Sequence, residues 1–206
     1  MKKSLVMASL LALGTSAMAI DVQPFVGVNS GASWTKVKEN AKISGPIVNY
    51  SAGSSDTESS FTFGLKGGII LDNSHRLGIN YNPSFDSYAT VHNILASYDY
   101  LIPLNDSNRF YVGAHAGFSS FRGKDKLKDN YYGALGDINA SGFAYGAQTG
   151  YIYDITKNIE FEFGLNYTKH DLDKTGTMRA NNGNPVSVKL EMKDSISTFA
   201  GINYKF

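Results

Sequence analysis

The sequence predicts an all-β fold: an eight-stranded antiparallel transmembrane β-barrel, built as an up-and-down meander with short turns at one end and longer loops at the other. Three observations predict it. Apolar and polar residues alternate with a period of two through most of the chain, which is typical of strands with two unlike faces. No segment combines the 3.6-residue apolar period with the caps of an amphipathic helix. Short, turn-rich links alternate with links that are mostly long.

The alternation defines the strands in chain order. The first strand, from about residue 22 to residue 34, has the weakest pattern. The second is typical of the others, because Phe61 and Phe63 share one face while Thr62 and Lys66 share the opposite face. Six further segments alternate in the same way, over residues 76–83, 93–100, 110–119, 145–153, 159–167 and 196–206.

The connections between strands differ at the two ends of the predicted barrel. Short links are predicted at residues 72–75, 103–108 and 154–158. The other links run over about residues 36–59, 123–141 and 169–193, with one short exception near residues 86–88. Bacterial outer-membrane barrels have this asymmetry, with short periplasmic turns and longer extracellular loops. No repeat or low-complexity linker divides the chain, so residues 20–206 are predicted to form one domain.

The first nineteen residues have the order of a secretory signal peptide. Lys2 and Lys3 form a basic start, an apolar stretch follows, and small residues end in a cleavage site formed by Ala17 and Ala19. The sequence therefore predicts that residues 1–19 are removed and that the rest of the chain is exported. The alternative is a short N-terminal membrane anchor.

Composition excludes several classes of protein. The 206 residues carry a formal net charge of +1, which argues against a nucleic-acid-binding protein with a basic surface. The chain has no Cys, so disulfide scaffolds, thiol catalysis and Cys-ligated metal sites are excluded.

The two faces of the strands decide between a membrane barrel and a soluble one. One face is rich in Phe, Tyr, Ile, Leu and Val, which suits contact with lipid. The other face carries glycines and charges of both signs that are predicted to pair inside a narrow lumen, namely Lys66, Arg76, Asp99, Glu160, Glu162 and Lys205. The alternative is a lipocalin-like barrel, whose apolar face would point inward.

The C-terminal segment carries a resemblance to a known family. Its alternating residues, with an aromatic two positions before a terminal Phe, resemble the C-terminal signal of bacterial outer-membrane proteins; they are Ala200, Gly201, Ile202, Tyr204 and Phe206. The resemblance implies recognition by the barrel-assembly machinery and contact with outer-membrane lipids and lipopolysaccharide. The chain is similar throughout to small outer-membrane barrels such as the opacity-type surface proteins and the membrane domain of OmpA-like proteins.

Candidate catalytic and metal-binding residues are few. His75 is assigned to a turn, His92 to the rim of the barrel, and His115 to the lumen beside Glu160 or Glu162. The segment His170–Asp173 offers an imidazole and two carboxylates, which are possible ligands for a divalent cation, although a solvated loop is favoured. Glu160 and Glu162 share a face and are suited either to acid–base chemistry or to pairing with Lys66 or Arg76; pairing is favoured. No enzyme, cofactor or metal site is predicted.

The predicted loops carry the functional hypothesis. Lys124, Lys126 and Lys128 are candidates for contact with lipopolysaccharide phosphates, but Asp125 and Asp129 interleave them and favour an ordinary solvated surface. The chain is predicted to be a monomeric outer-membrane protein with a structural role or a role in contact with a host or cell-surface ligand. The alternatives are a narrow channel for small solutes and, less favoured, a lipid-modifying enzyme.

Overall fold

The structure, a computed structural model, describes residues 21–44, 49–85, 89–124, 139–179 and 185–206. The predicted signal peptide, with Ala17 and Ala19, lies outside the described residues. So do residues 86–88 and the segment 125–138, which contains Asp125, Lys126, Lys128 and Asp129.

Eight antiparallel strands form a closed barrel in chain order. They are β1 (Val22–Ser44), β2 (Asn49–Leu71), β3 (His75–Phe85), β4 (Ala89–Asn105), β5 (Asn108–Gly123), β6 (Asn139–Asp154), β7 (Ile159–Arg179) and β8 (Pro185–Lys205). Each strand pairs with its neighbours in the sequence, and β1 pairs with β8 to close the ring. The predicted fold class is confirmed.

The outer surface of the barrel is apolar where it would meet lipid. Ile79 is 64% exposed, Ile94 is 56% exposed and Phe118 is 71% exposed, although all three are large and apolar. These side chains suit contact with lipid, while the closed ring of strands pairs the backbone polar groups as the hydrocarbon requires. The prediction that the apolar face points outward is therefore confirmed. The described residues include no helix with the length and hydropathy needed to cross a bilayer.

Tight turns close one end of the barrel, here called the turn end. Between β2 and β3, Asp72 and Asn73 have φ angles of 48° and 55°, and Ser74 N–H donates to the Leu71 carbonyl at 3.0 Å. Two central residues in the left-handed region define a type I′ hairpin turn, and Asp and Asn tolerate that region better than most residues. Only residues 106–107 and 155–158 separate the strands at the other two connections, which agrees with the predicted short links.

At the opposite end, here called the loop end, four strands are longer than the sequence predicted. Residues 36–59 and 169–193 were expected to be loops, but β1 and β2 stay paired to Ser44 and Asn49, and β7 and β8 stay paired to Arg179 and Pro185. The loop prediction was wrong because these segments lack apolar alternation, which strands need only where one face meets lipid. We call the extension the outer sheet; it comprises residues 35–44, 49–60, 171–179 and 185–194.

Apolar side chains fill two levels of the barrel interior. Near the turn end, Phe25, Ile70, Leu101, Tyr111 and Ile152 form one buried cluster. Near the loop end, a second cluster contains Val91, Leu172 and Met192, with Phe121 packed against it. Polar and charged side chains occupy much of the remaining lumen.

Candidate functional site

The lumen contains two groups of charged side chains, stacked along the barrel axis. The upper quartet comprises Lys66, Arg76, Asp99 and Glu162. The lower quartet lies nearer the turn end and comprises Arg109, Asp154, Glu160 and Lys205. Each quartet contains two cations and two anions, so each is formally neutral.

Arg76 is the centre of the upper quartet. Its Nη1 and Nη2 donate to Glu162 Oε2 and Oε1 at 3.0 Å and 3.1 Å, and its Nε donates to Asp99 Oδ2 at 2.9 Å. Lys66 also donates to Glu162, and Gln148 donates to Asp99. The guanidinium lies over the Tyr111 ring, 4.6 Å from its centroid, which adds a cation–π contact. All three nitrogens of this guanidinium donate a hydrogen bond to a carboxylate, which compensates for the burial of its charge.

The lower quartet closes the turn end of the lumen. Lys205 Nζ lies 2.9 Å from Asp154 Oδ1 and 3.0 Å from Glu160 Oε1. Arg109 Nη2 lies 3.0 Å from the same Asp154 oxygen and also pairs with Glu160. These four side chains come from β5, β6, β7 and β8, so the quartet ties half of the barrel together.

Asn203 connects the two quartets. Its Nδ2 donates to Glu162 Oε2 at 2.7 Å and to Glu160 Oε2 at 3.4 Å, and its side chain is fully buried. A single amide therefore contacts one carboxylate of each quartet.

The six charged residues predicted for the lumen all point into it, but they do not form one group. Lys66, Arg76, Asp99 and Glu162 lie together, whereas Glu160 and Lys205 belong to the lower quartet. Arg109 and Asp154 were not predicted for the lumen, since Asp154 was assigned to a turn and Arg109 falls between the predicted link 103–108 and the strand predicted to begin at residue 110. The signal was present, because each lies two positions from a buried residue of the same strand, Tyr111 and Ile152 respectively.

The histidines have neutral or aromatic neighbours. His115 was predicted beside Glu160 or Glu162, but its Nδ1 lies 3.0 Å from Gln148 Oε1 and its Nε2 lies 3.0 Å from Thr168 Oγ1. His75 Nδ1 lies 2.8 Å from the Tyr98 hydroxyl, and His92 Nδ1 lies 2.8 Å from the Tyr81 hydroxyl, so both belong to the outer surface.

The candidate cation site at residues 170–173 does not assemble. His170 points into the lumen, where its Nδ1 lies 3.1 Å from Ser119 Oγ and its Nε2 lies 2.9 Å from Ser195 Oγ. Asp171 and Asp173 are exposed on the opposite face of the same strand, since alternate residues point to opposite sides. Among the described residues, no group of three or more His, Asp or Glu side chains is arranged to hold a metal ion.

A small polar cavity lies between the upper quartet and the loop-end apolar cluster. Its volume is about 60 Å³, and its lining includes Asn80, Asn93, Ser97, Asn166 and Thr168. The buried Oδ1 of Asn166 has no hydrogen-bond partner among the described residues, so it is a ready acceptor for water. A polar space of this size suits a few water molecules. It is too small for a substrate of ordinary size.

Chemically, the lumen is better suited to holding charge than to reaction. Ser119 and Ser195 place hydroxyls on both imidazole nitrogens of His170, so that, among the described residues, no carboxylate orients the ring as in a hydrolytic triad. Glu160 and Glu162 are each engaged by two cations and are 1% exposed, so neither is poised as a free acid or base.

No family model matches the sequence, and no curated protein matches it. Among solved structures, the chain is similar to Neisserial surface protein A, at 18% identity and a TM-score of 0.52, over 85% of this chain and 97% of that one. It is also similar to outer membrane protein H of P. aeruginosa, at 22% identity and a TM-score of 0.49, over 87% and 99% of the two chains. The closed eight-stranded ring and the likeness to Neisserial surface protein A show the fold of a small bacterial outer-membrane β-barrel, and the outer-membrane location predicted from the sequence agrees with it.

Proposed function

We propose that the protein is a closed outer-membrane barrel that contributes to envelope structure and presents its outer sheet for contact at the cell surface, without catalysis. The observation that carries the proposal is the pair of neutral charged quartets, which fill the turn-end half of the lumen. An eight-stranded barrel is just wide enough for its interior side chains, so eight charged side chains leave little room for a passing solute.

The cost of opening the lumen supports this reading. Arg76 and Glu162 share two hydrogen bonds in a buried setting, and removing one partner of such a pair costs about 3–5 kcal/mol. A solute path past the upper quartet would separate these groups and leave each charge uncompensated. The lower quartet repeats the obstacle nearer the turn end.

The ends of the chain fit the same proposal. We take residues 1–19 as a cleaved signal peptide and the C-terminal pattern from Ala200 to Phe206 as the signal read by the barrel-assembly machinery. Lipid and lipopolysaccharide would surround the apolar band, and a host or cell-surface ligand would meet the outer sheet. The protein would act as a monomer, because a closed barrel has no unpaired edge within the bilayer.

Conductance tests the closed lumen. Purified protein in a planar bilayer is expected to show no steady single-channel current. An Arg76→Ala/Glu162→Ala variant is expected to leak, while a Lys189→Ala variant, changed only in the outer sheet, stays closed. Stable current through the unchanged protein would refute the closed barrel.

A narrow channel is the second candidate, and the polar cavity favours it. That cavity provides a water-compatible space in mid-lumen, so movement of the quartets alone would extend it toward the turn end. The same bilayer recording separates the two candidates, since a channel conducts without any substitution.

Location and orientation have their own test. A closed membrane barrel migrates differently in SDS gels before and after boiling, so such a shift is expected in the outer-membrane fraction. Because the chain has no Cys, a Ser55→Cys variant provides a unique thiol on the outer sheet. A membrane-impermeant maleimide should label this variant on intact cells; labelling only after lysis would contradict the proposed orientation.

A further inference from the structure

The outer sheet ends on one side in β2, whose edge is not paired with any other strand among the described residues. β2 pairs with β3 only as far as Phe61, which lies opposite Phe85 at the end of β3. From Tyr50 to Ser60, β2 pairs with β1 alone among the strands that the structure describes. This edge is about 35 Å long at about 3.3 Å per residue. It presents a row of backbone N–H and C=O groups without a strand partner in the described chain.

This edge has few of the features that usually prevent strand addition, since its only charged residues are Asp56 and Glu58. Residues 50–60 contain no Pro, Lys or Arg, and their pairing with β1 runs without a bulge. The edge of β7 at the other side of the outer sheet differs, since a bulge lies between Lys169 and Leu172 and Lys174 follows it. Edge strands are normally blunted by charges, prolines and bulges, so β2 is the more receptive of the two edges.

We propose that residues 50–60 of β2 bind an extended segment of a partner protein, which adds to the outer sheet as a further β-strand. The proposal rests on the proposed function, because it requires the outer sheet to lie outside the cell. Strand addition draws its affinity from main-chain hydrogen bonds and its specificity from alternate side chains.

The side chains beside the edge specify the partner's chemistry. Asp56 and Glu58 lie on one face of β2, two positions apart, and both are exposed. A strand paired here would place alternate side chains opposite these carboxylates, and opposite charges at such positions attract. The other face carries only small side chains, at Ser51, Gly53, Ser55, Thr57 and Ser59. The segment that fits is therefore extended, with Lys or Arg at alternate positions and room for larger residues between them.

A synthetic nine-residue peptide of alternating Lys and Thr provides the probe, with the protein in lipid nanodiscs. Binding is expected to shift the amide NMR signals of residues 50–60 and to leave those of residues 171–177 unchanged. A second peptide has the same sequence but is N-methylated at alternate residues. It keeps the positive charge and loses the backbone N–H donors along one edge, so it should not bind. Equal binding of the methylated peptide would overturn the proposal, because attraction of charge alone would then suffice.

Matched variants test the acidic face. The Asp56→Lys/Glu58→Lys variant is expected to weaken binding about tenfold, since two favourable cross-strand pairs become unfavourable. The Asp171→Lys/Asp173→Lys variant makes the same change in net charge on β7 and should keep its affinity within about twofold. The gel-mobility shift verifies that both variants fold. Equal weakening in both would overturn the proposal.

Three further outcomes separate this proposal from its alternatives. A disulfide-linked dimer formed by the Ser55→Cys variant without peptide would show that the edge binds a second copy, and would overturn the proposal. Stable current through the unchanged protein, together with peptide binding at β2, would refute the closed lumen and leave strand addition supported. Absence of both current and binding would refute strand addition alone.

Discussion

Arg76 holds Glu162 through both terminal nitrogens of its guanidinium, at 3.0 Å and 3.1 Å, although the two residues lie 86 positions apart in the chain. The pair joins β3 to β7 across the lumen. Because both side chains are buried, the pair is a structural cross-brace, and breaking it would leave an uncompensated charge in the lumen.

Replacing Glu162 tests that brace. Glu162→Gln keeps the shape but removes the negative charge, so Arg76 and Lys66 are left with one carboxylate, Asp99, between them. We expect the free energy of unfolding to fall by about 3 kcal/mol, measured as a lower urea midpoint in lipid vesicles. Glu58→Gln, on the exposed edge of β2, is the matched control and should be neutral. An unchanged midpoint for Glu162→Gln would contradict the role of the upper quartet.

Removing Asn203 tests the link between the quartets. Asn203→Ala deletes the donor to both Glu160 and Glu162, and we expect a loss of about 2 kcal/mol, because hydrogen bonds to charged groups are worth about 1.5–3 kcal/mol. Asn40→Ala, at an exposed position of the outer sheet, controls for loss of an amide. Combining Asn203→Ala with Glu162→Gln should cost less than the two single changes added together, since they share one contact. Strict additivity would show that Asn203 acts elsewhere.

The sequence predicts which face a residue occupies far better than which residue it meets. Lipid requires an apolar side chain at every second position, so Lys66 and Glu162 could both be assigned to the lumen. Their contact across 96 residues depends on the stagger of the whole barrel, which no local pattern encodes. Beyond the lipid, outward-facing side chains need not be apolar. Lys36 and Lys38 face outward there beside Thr57 and Ser55, so the sequence of the strand resembles that of a loop.

Strand alternation also explains why the cation site predicted at residues 170–173 does not assemble. Treating the segment as a loop brought an imidazole and two carboxylates together, whereas strand alternation separates them onto opposite faces. The inward position of His170 could have been predicted from the sequence, since His170 continues the inward-facing series of Glu162, Gly164, Asn166 and Thr168. The hydroxyl partners of His170 on β5 and β8 could not have been predicted, because they depend on the register between strands that are distant in the sequence.

A glycine substitution tests how tightly the upper quartet is packed. A Cβ atom on Gly113 would lie 2.0 Å from Asp99 Oδ1 and 2.3 Å from the Tyr98 carbonyl oxygen. The carbonyl belongs to the strand backbone and cannot turn aside, so Gly113→Ala should displace β4 or push Asp99 from Arg76. We expect a loss of about 1–3 kcal/mol in the free energy of unfolding, as for overpacked interiors.

Gly67→Ala is the matched control for that experiment. The nearest atoms to a Cβ on Gly67 are the Phe25 carbonyl oxygen at 3.5 Å and Val26 Cγ1 at 3.7 Å, which are ordinary contacts. This change should be neutral or should stabilise the barrel by about 0.5 kcal/mol, because Ala lowers the conformational entropy of the unfolded chain. Equal urea midpoints for Gly113→Ala and Gly67→Ala would show that the lumen accommodates the added methyl group and would contradict tight packing around Asp99.

The outer sheet offers a prediction about pH. Glu191 lies beyond Ile196, the last apolar lipid-facing residue of β8 toward the loop end, and it accepts hydrogen bonds from two lysines. Lys189 Nζ lies 2.7 Å from Oε1, and Lys193 Nζ lies 3.2 Å from Oε2. These bonds favour the charged carboxylate, so they lower the pKa of Glu191 below its usual range. A carboxyl with a lowered pKa stabilises the folded state above its unfolded pKa, and that contribution disappears as the pH falls through the folded pKa.

Titration of Glu191 by NMR measures this effect directly. In the unchanged protein, the carboxyl signal should titrate at a lower pH than that of glutamate in an unfolded peptide. Lys189→Gln removes the donor at 2.7 Å, so the midpoint should rise toward the peptide value, while Lys174→Gln, on β7 and outside this set of contacts, should leave it in place. The side chains of Lys189 and Lys193 are 41% and 38% exposed, so salt screens their attraction to Glu191, and the difference should shrink as ionic strength rises. If the titration midpoint of Glu191 does not change in Lys189→Gln, the hydrogen bond from Lys189 does not lower the pKa of this carboxyl.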